Sequence, residues 1–199
     1  ISLFNAVVAQ TFSGTGATIP DNGPAAYFPV IVTGVPASID SSYGVESVCV
    51  TITHTNDYQL TIQLIAPDGS SINLSMHNGG TGNHYINTCF NQNATTSITA
   101  GSPPFTGSYS PQGILGNVNN GQNGNGLWQL VVQDHTPGTT GTLSNWSITF
   151  SNTPSLPWIS SDLPLVFVNT NGLTILDDPK IPAQMDIIDN GIGLRNNLN

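Results

Sequence analysis

Apolar side chains recur at every second position along most of this chain. In VESVCVTITHT (residues 45–55), Val48, Val50 and Ile52 share one face and Cys49, Thr51 and Thr53 the other. YQLTIQLIAP (58–67) aligns Tyr58, Leu60, Ile62 and Leu64, and SINLSM (71–76) aligns Ile72, Leu74 and Met76. Asp68-Gly69 lies between these two runs and predicts a hairpin turn. LWQLVVQD (127–134) places Trp128, Leu130 and Val132 together, and LSNWSITF (143–150) does the same for Trp146, Ile148 and Phe150. YFPVIVTGV (27–35) and HYINTCF (84–90) read as further strands. Period two means strands with one buried face. Gly, Pro, Asn, Ser and Thr interrupt every window before a helical period builds. The pattern predicts an all-β fold of roughly eight short strands, an antiparallel sandwich or jelly roll. Three long Gly-rich stretches, 77–83, 100–113 and 117–126, read as loops. The last is rich enough in Asn and Gly to suggest disorder.

The pattern changes past residue 150. SNTPSLPWISSDLP (151–164) carries three prolines, and residues 154–164 read as a linker after a domain spanning 10–153. LVFVNTNGLTIL (165–176) then predicts a C-terminal hairpin extension with Asn171-Gly172 at its turn. Residues 165–199 are too few to fold alone and read as an incomplete start of a second domain. At the other end, the apolar residues 1–9 finish on Val7-Val8-Ala9 and read as the remnant of a secretory signal peptide cut before Gln10.

Composition narrows the partners. Of 199 residues only 7% are charged, and net charge is −9 with Lys180 and Arg195 the only basic side chains. A chain without a basic footprint cannot neutralise phosphates, so nucleic acid is excluded as a partner. Neither an anionic membrane surface nor a helical membrane span fits. A polar surface made of Asn, Thr, Ser and Gly suits a secreted or cell-surface protein. Cys49 and Cys89 then read as one disulfide, with two buried free thiols as the alternative.

The order and spacing of several stretches resemble one family. IPDNGP (19–24), VTITHT (50–55), LTIQLIAPDGSSINL (60–74), NGGTGN (78–83), NTCF (87–90), PFTGSYSPQG (104–113), GLWQLVVQD (126–134) and GTLSNWSITF (141–150) carry the likeness. Residues 16–152 resemble the P domain (P/Homo B domain) of subtilisin-like proprotein convertases and secreted bacterial proteases. The resemblance implies an eight-stranded jelly roll of the galactose-binding-like type. It also implies a non-catalytic domain that packs on a neighbouring protease domain of the same polypeptide and stabilises it. One departure stands out: the family has Gly-Asp-Leu after its His-Thr strand, whereas here Gln59 stands at the acid and Asp57 lies two positions earlier. Residues 160–191 resemble the opening of the spore-coat kinase-like (CotH) domain of secreted bacterial proteins, without its nucleotide-binding parts.

Candidate chemistry is sparse. Ser, His and Asp are present, but no Gly-x-Ser-x-Gly or subtilisin-type serine context is. His54 continues the buried face of Val48, Val50 and Ile52, so it reads as a core histidine. Asp134 and His135 are adjacent in a strand and point to opposite faces. His77 and His84 flank a Gly-rich loop but lack a zinc-binding motif. A structural calcium ion is the metal the acids favour, with Asp21, Glu46, Asp57 and Asp134 as ligand candidates and Asp68 as a further scattered acid. Phe105, Tyr109 and Tyr43 are the aromatics a carbohydrate-binding groove would use. Trp128 and Trp146 read as core anchors, and Asp134 as a loop-ordering or calcium-binding acid.

The expected function is therefore an accessory, stabilising domain without catalytic residues of its own. A structural or adhesive surface protein is the alternative, self-associating through residues 1–9 or the 165–176 hairpin. A carbohydrate-binding module is the other.

Overall fold

The computed structural model describes residues 9–157, 160–161, 164–170, 178–191 and 196–197. Residues 1–8 and the Asn171-Gly172 turn lie outside the described residues. The chain divides into two compact units, Ile1–Pro157 and Trp158–Asn199. Among the described residues no helix is long and apolar enough to cross a membrane.

In the first unit the strands are β1 (Gln10–Thr15), β2 (Thr18–Ile19), β3 (Ala26–Val32), β4 (Gly44–Thr53), β5 (Leu60–Ile65), β6 (Ser71–Met76), β7 (Tyr85–Asn91), β8 (Phe105–Tyr109), β9 (Gly126–Asp134) and β10 (Gly141–Ser151). They form two sheets. One runs β1-β10-β4-β7-β8, with β2 also on β10; the other runs β3-β9-β5-β6. Neighbours are antiparallel except β7 and β8, which run parallel. The protein is an all-β sandwich, as the period-two pattern predicts.

The inner faces supply the core. Val48, Val50 and Ile52 of β4, Trp146, Ile148 and Phe150 of β10, and Trp128, Leu130 and Val132 of β9 are all buried. Fully burying such a side chain is worth about 1.5–3 kcal/mol. Phe12 of β1 meets Phe150 edge-on at 5.9 Å between ring centres, and Trp128 meets Phe150 at 5.5 Å. Gly14 lets β1 pass over Trp146, since a Cβ there would collide with the indole. Cys49 and Cys89 face each other across β4 and β7 and form a disulfide. It closes a loop of 40 residues, worth about 4 kcal/mol in the chain-entropy account.

Four sequence expectations shift. Tyr58 does not share the face of Leu60, Ile62 and Leu64: it lies in a 3-10 turn, Asp57–Gln59, and is exposed. Met76 is half-buried while Ile72 and Leu74 are core. The stretch 100–113 is not all loop, because Phe105–Tyr109 adds a strand to β7. The Asn/Gly-rich stretch 117–126 is ordered by its own amides. Asn119 accepts from the Val45 amide at 2.7 Å and donates to the carbonyls of Val45 and Ser155 at 3.0 and 2.8 Å. Asn125 likewise brackets Val35, accepting from its amide at 3.1 Å and donating to its carbonyl at 2.7 Å.

In the second unit, β11 (Ser160–Ser161) pairs with β14 (Asn196–Asn197), and β12 (Leu165–Asn169) pairs with β13 (Gln184–Ile188). The described partner of Leu165–Asn169 is thus a strand beyond the expected 165–176 hairpin.

Candidate functional site

The alternation of β4 carries one step past the strand and delivers a polar side chain, His54, into the core. The last residue of β9, in the opposite sheet, delivers Asp134. The two meet there, His54 Nε2 to Asp134 Oδ2 at 3.1 Å, with both side chains fully buried. The other ring nitrogen, Nδ1, lies 2.9 Å from the Asn56 carbonyl and 3.2 Å from the Asn56 amide. A neutral ring accepts from that amide, whereas a protonated ring donates to that carbonyl; either form keeps Nε2–H on Asp134. The free oxygen of Asp134 accepts from the Thr136 amide at 3.0 Å and so orders the turn into β10. Gly141 of β10 packs so closely on the imidazole that a Cβ would strike it.

This pair clasps one sheet to the other. Its geometry is not that of a catalytic relay: among the described residues no serine, threonine or cysteine side chain bonds the His54 ring. Asp134 and His135 do point apart, the first buried and the second exposed.

Asp57 lies beside the clasp. Its backbone amide donates to the Gly82 carbonyl at 2.9 Å, and its Oδ1 accepts from the His84 amide at 3.0 Å. The second oxygen, Oδ2, is buried without a partner. Burial pushes the Asp57 carboxyl up to about 7, against the smaller downward pull of the His84 amide. His84 Nδ1 in turn accepts from the His54 amide at 3.2 Å. Gln59, standing where the resemblance expects an acid, is nearly buried and accepts from the Thr139 hydroxyl. Its carbonyl accepts from the His135 amide at 3.0 Å. A neutral amide thus ties down the β9–β10 loop at that position.

The remaining acids do not converge. Asp21 accepts from the Gly138 amide through both oxygens, at 3.0 and 3.1 Å. Glu46 is half-buried near the start of β4, where its carbonyl accepts from Ser155 at 2.8 Å. Asp68 caps its own turn through Ser70. Among the described residues no three His, Cys, Asp or Glu side chains gather in one place. The zinc candidates separate as well: His84 serves the His54 backbone, while His77 bonds the Tyr58 carbonyl. Of the aromatics weighed for a sugar, Phe105 and Tyr43 are buried. Phe105 stacks on Tyr85 at 4.8 Å and takes Tyr109 edge-on at 5.6 Å. These rings build the core under β8 and are not displayed as a groove. Trp128 and Trp146 are buried, and Trp128 donates to the Gly124 carbonyl at 2.9 Å. Asn119 is the structural residue that sequence reasoning missed, hidden in a run that looked disordered.

The proprotein convertase P-domain model matches residues 45–150, which is 106 of the 199 residues and runs from β4 through β10. The match does not take in the CotH-like segment 160–191. The leupeptin-inactivating enzyme 1 of Streptomyces exfoliatus is 28% identical over 143 residues, covering 71% of this chain and 26% of that protein. A transglutaminase-activating metalloprotease of Streptomyces mobaraensis is 31% identical over 139 residues, covering 68% of this chain and 14% of that protein. The chain therefore spans only 26% and 14% of the length of these two relatives. A solved serine protease of Aeromonas sobria, in complex with the chaperone ORF2, aligns with a TM-score of 0.42 and 18% identity over 73% of this chain and 26% of that one.

Proposed function

The chain belongs to the proprotein convertase P-domain family, and from that premise we propose that it is a non-catalytic accessory domain of a secreted bacterial protein. On this reading residues 10–153 form a rigid sandwich that braces a neighbouring protease domain of the same polypeptide. The observation that carries the reading is a displayed apolar face. Tyr27 and Ile31 on β3 are 56% and 63% exposed, and Leu127, opposite Ile31 on β9, is 44% exposed. Pro29 lies between them on the same outward side. Edge strands are commonly blunted by charge or proline, and here proline is present but charge is not. A face of this kind suits a covering domain more than open water. One of the relatives named above is a metalloprotease, and most of its length lies beyond the aligned 14%, which supports a protease as the neighbour. The disulfide supports an oxidising, extracellular setting.

The test uses the full-length polypeptide. Tyr27→Ser, Ile31→Ser and Leu127→Ser combined should leave the melting of the isolated sandwich nearly unchanged. The same combination should lower the melting temperature of the neighbouring domain by several degrees and speed its autolysis. A neighbour that melts and digests as before would remove this face from the proposal.

Residues 165–199 fit the opening of a following domain. Val166 and Val168 of β12 stand opposite Ile187 and Met185 of β13, and all four are more than half exposed. A two-stranded ribbon with an apolar face is marginal alone and calls for a covering layer.

A further inference from the structure

Two histidines that the sequence keeps far apart become neighbours on the surface. β5 lies between β9 and β6, so the residue following each of those outer strands flanks the start of β5. Those residues are His135 and His77. Both side chains are exposed, and their ring centres are 5.3 Å apart with the planes at 60°.

Four consecutive residues hold them in place. The Tyr58 carbonyl accepts from His77 Nδ1 at 2.7 Å, and the Leu60 carbonyl accepts from the His77 amide at 3.0 Å. The Gln59 carbonyl accepts from the His135 amide at 3.0 Å, and the Thr61 hydroxyl bonds His135 Nε2 at 3.0 Å. His77 is thus tied to residues 58 and 60, and His135 to 59 and 61. The spacing of the rings is set by one short stretch of backbone. The Tyr58 ring packs on the His77 ring at 5.3 Å and supports it.

The hydrogen bond to a carbonyl also sets the tautomer of His77. A carbonyl can only accept, so His77 Nδ1 carries the proton and Nε2 keeps its lone pair. When His135 donates Nε2–H to Thr61, its Nδ1 keeps a lone pair as well. An imidazole whose far nitrogen donates to a backbone carbonyl or a side-chain oxygen is the usual arrangement of a metal-ligating histidine. The ring separation agrees. With metal–nitrogen bonds of about 2.1 Å and tetrahedral angles, two imidazoles on one ion have centres roughly 5 Å apart.

We propose that His77 and His135 form a surface site for one borderline divalent transition-metal ion, Zn2+ in the first place. Imidazole nitrogen suits zinc, nickel and copper and is a poor match for calcium or magnesium. Among the described residues no third His, Cys, Asp or Glu joins the pair, so water fills the other positions. The site is an open, exchangeable one and does not depend on the accessory role proposed above.

The experiment titrates ZnCl2, with MgCl2 as control, into the metal-stripped full chain. It follows heat by calorimetry and the ring nitrogens by long-range proton–nitrogen spectra. One zinc ion per chain should bind, with the largest shifts at His77 Nε2 and His135 Nδ1, and magnesium should give neither signal. His77 has a positive φ of 52°, which asparagine tolerates, so His77→Asn and His135→Gln are the suitable variants. Each should weaken zinc by about tenfold or more. Spectra of the unaltered chain decide the matter even if a variant misfolds. Absence of heat and shifts at millimolar zinc, or shifts centred on His54 and His84, would overturn the assignment.

Discussion

At the end of the sandwich where β4 begins, Asn119 closes the structure with bonds to Val45 and Ser155, while Asn125 brackets Val35 and Asn120 donates to Asp68 at 2.9 Å. At the opposite end, where β4 runs out, stand all four histidines of the chain together with Asp57, Asp134 and Asp21. Both ends must satisfy backbone groups that leave the ladders. The first does so mainly with the amides of Asn119 and Asn125, which donate and accept at once and carry no charge, with Asp68 as its one acid in these bonds. The second uses imidazoles and carboxylates, whose bonding capacity follows their protonation. The Asn119 brace therefore carries no charge, and the brace at the other end is built on groups whose bonding follows their protonation.

The comparison breaks most sharply at the clasp. His54→Ala leaves the Asp134 carboxylate buried without its ring partner and should destabilise the sandwich by about 3–5 kcal/mol in urea unfolding. A loss below about 1 kcal/mol would show that water replaces the imidazole and that the clasp does not hold the sheets. Asn119→Ala takes the side-chain partner from the buried Val45 amide and the Ser155 carbonyl and should cost about 2–4 kcal/mol, the same at about pH 5 and about pH 8. A pH-dependent loss there would erase the distinction between the ends.

Asp57→Asn should have the smallest effect and the most telling one. The folded carboxyl titrates near 7, far above its ordinary value of 3.8. Between those values the folded state holds a proton that the unfolded chain has released, so stability falls as pH rises through this window. Removing the charge should raise stability modestly at about pH 5, where the unfolded carboxyl is already ionised, and by about 1–3 kcal/mol more at about pH 8. Melting curves for both proteins at the two pH values check it. Parallel pH profiles would mean that Asp57 stays ionised and solvated.

The strands were legible because alternation depends only on which side a residue faces. It ran through Val48, Val50 and Ile52 and placed His54 inside although histidine is polar. The Asp68-Gly69 turn was legible for its own reason, a local backbone preference at a positive φ of 86° for Gly69. β8 was not, since Pro103, Pro104 and Gly107 mask its pattern and its partner is parallel. The contacts of Asn119 and Asp134 escaped notice because their partners lie 74 and 80 positions away. His77 and His135 meet only through the order in which β9, β5 and β6 are laid side by side. No spacing rule along the chain encodes that order.

The placement of β10 between β1 and β4 has a kinetic consequence. Gln10–Thr15 pairs with residues 145–150, so the earliest strand waits for the latest. A polypeptide emerging from a ribosome or a secretion channel keeps its first strand unzipped until almost the whole sandwich has come through. Such long-range pairing slows closure relative to local hairpins. Chains halted before β10 would expose two raw edges at once, a signature that quality-control proteases can cut.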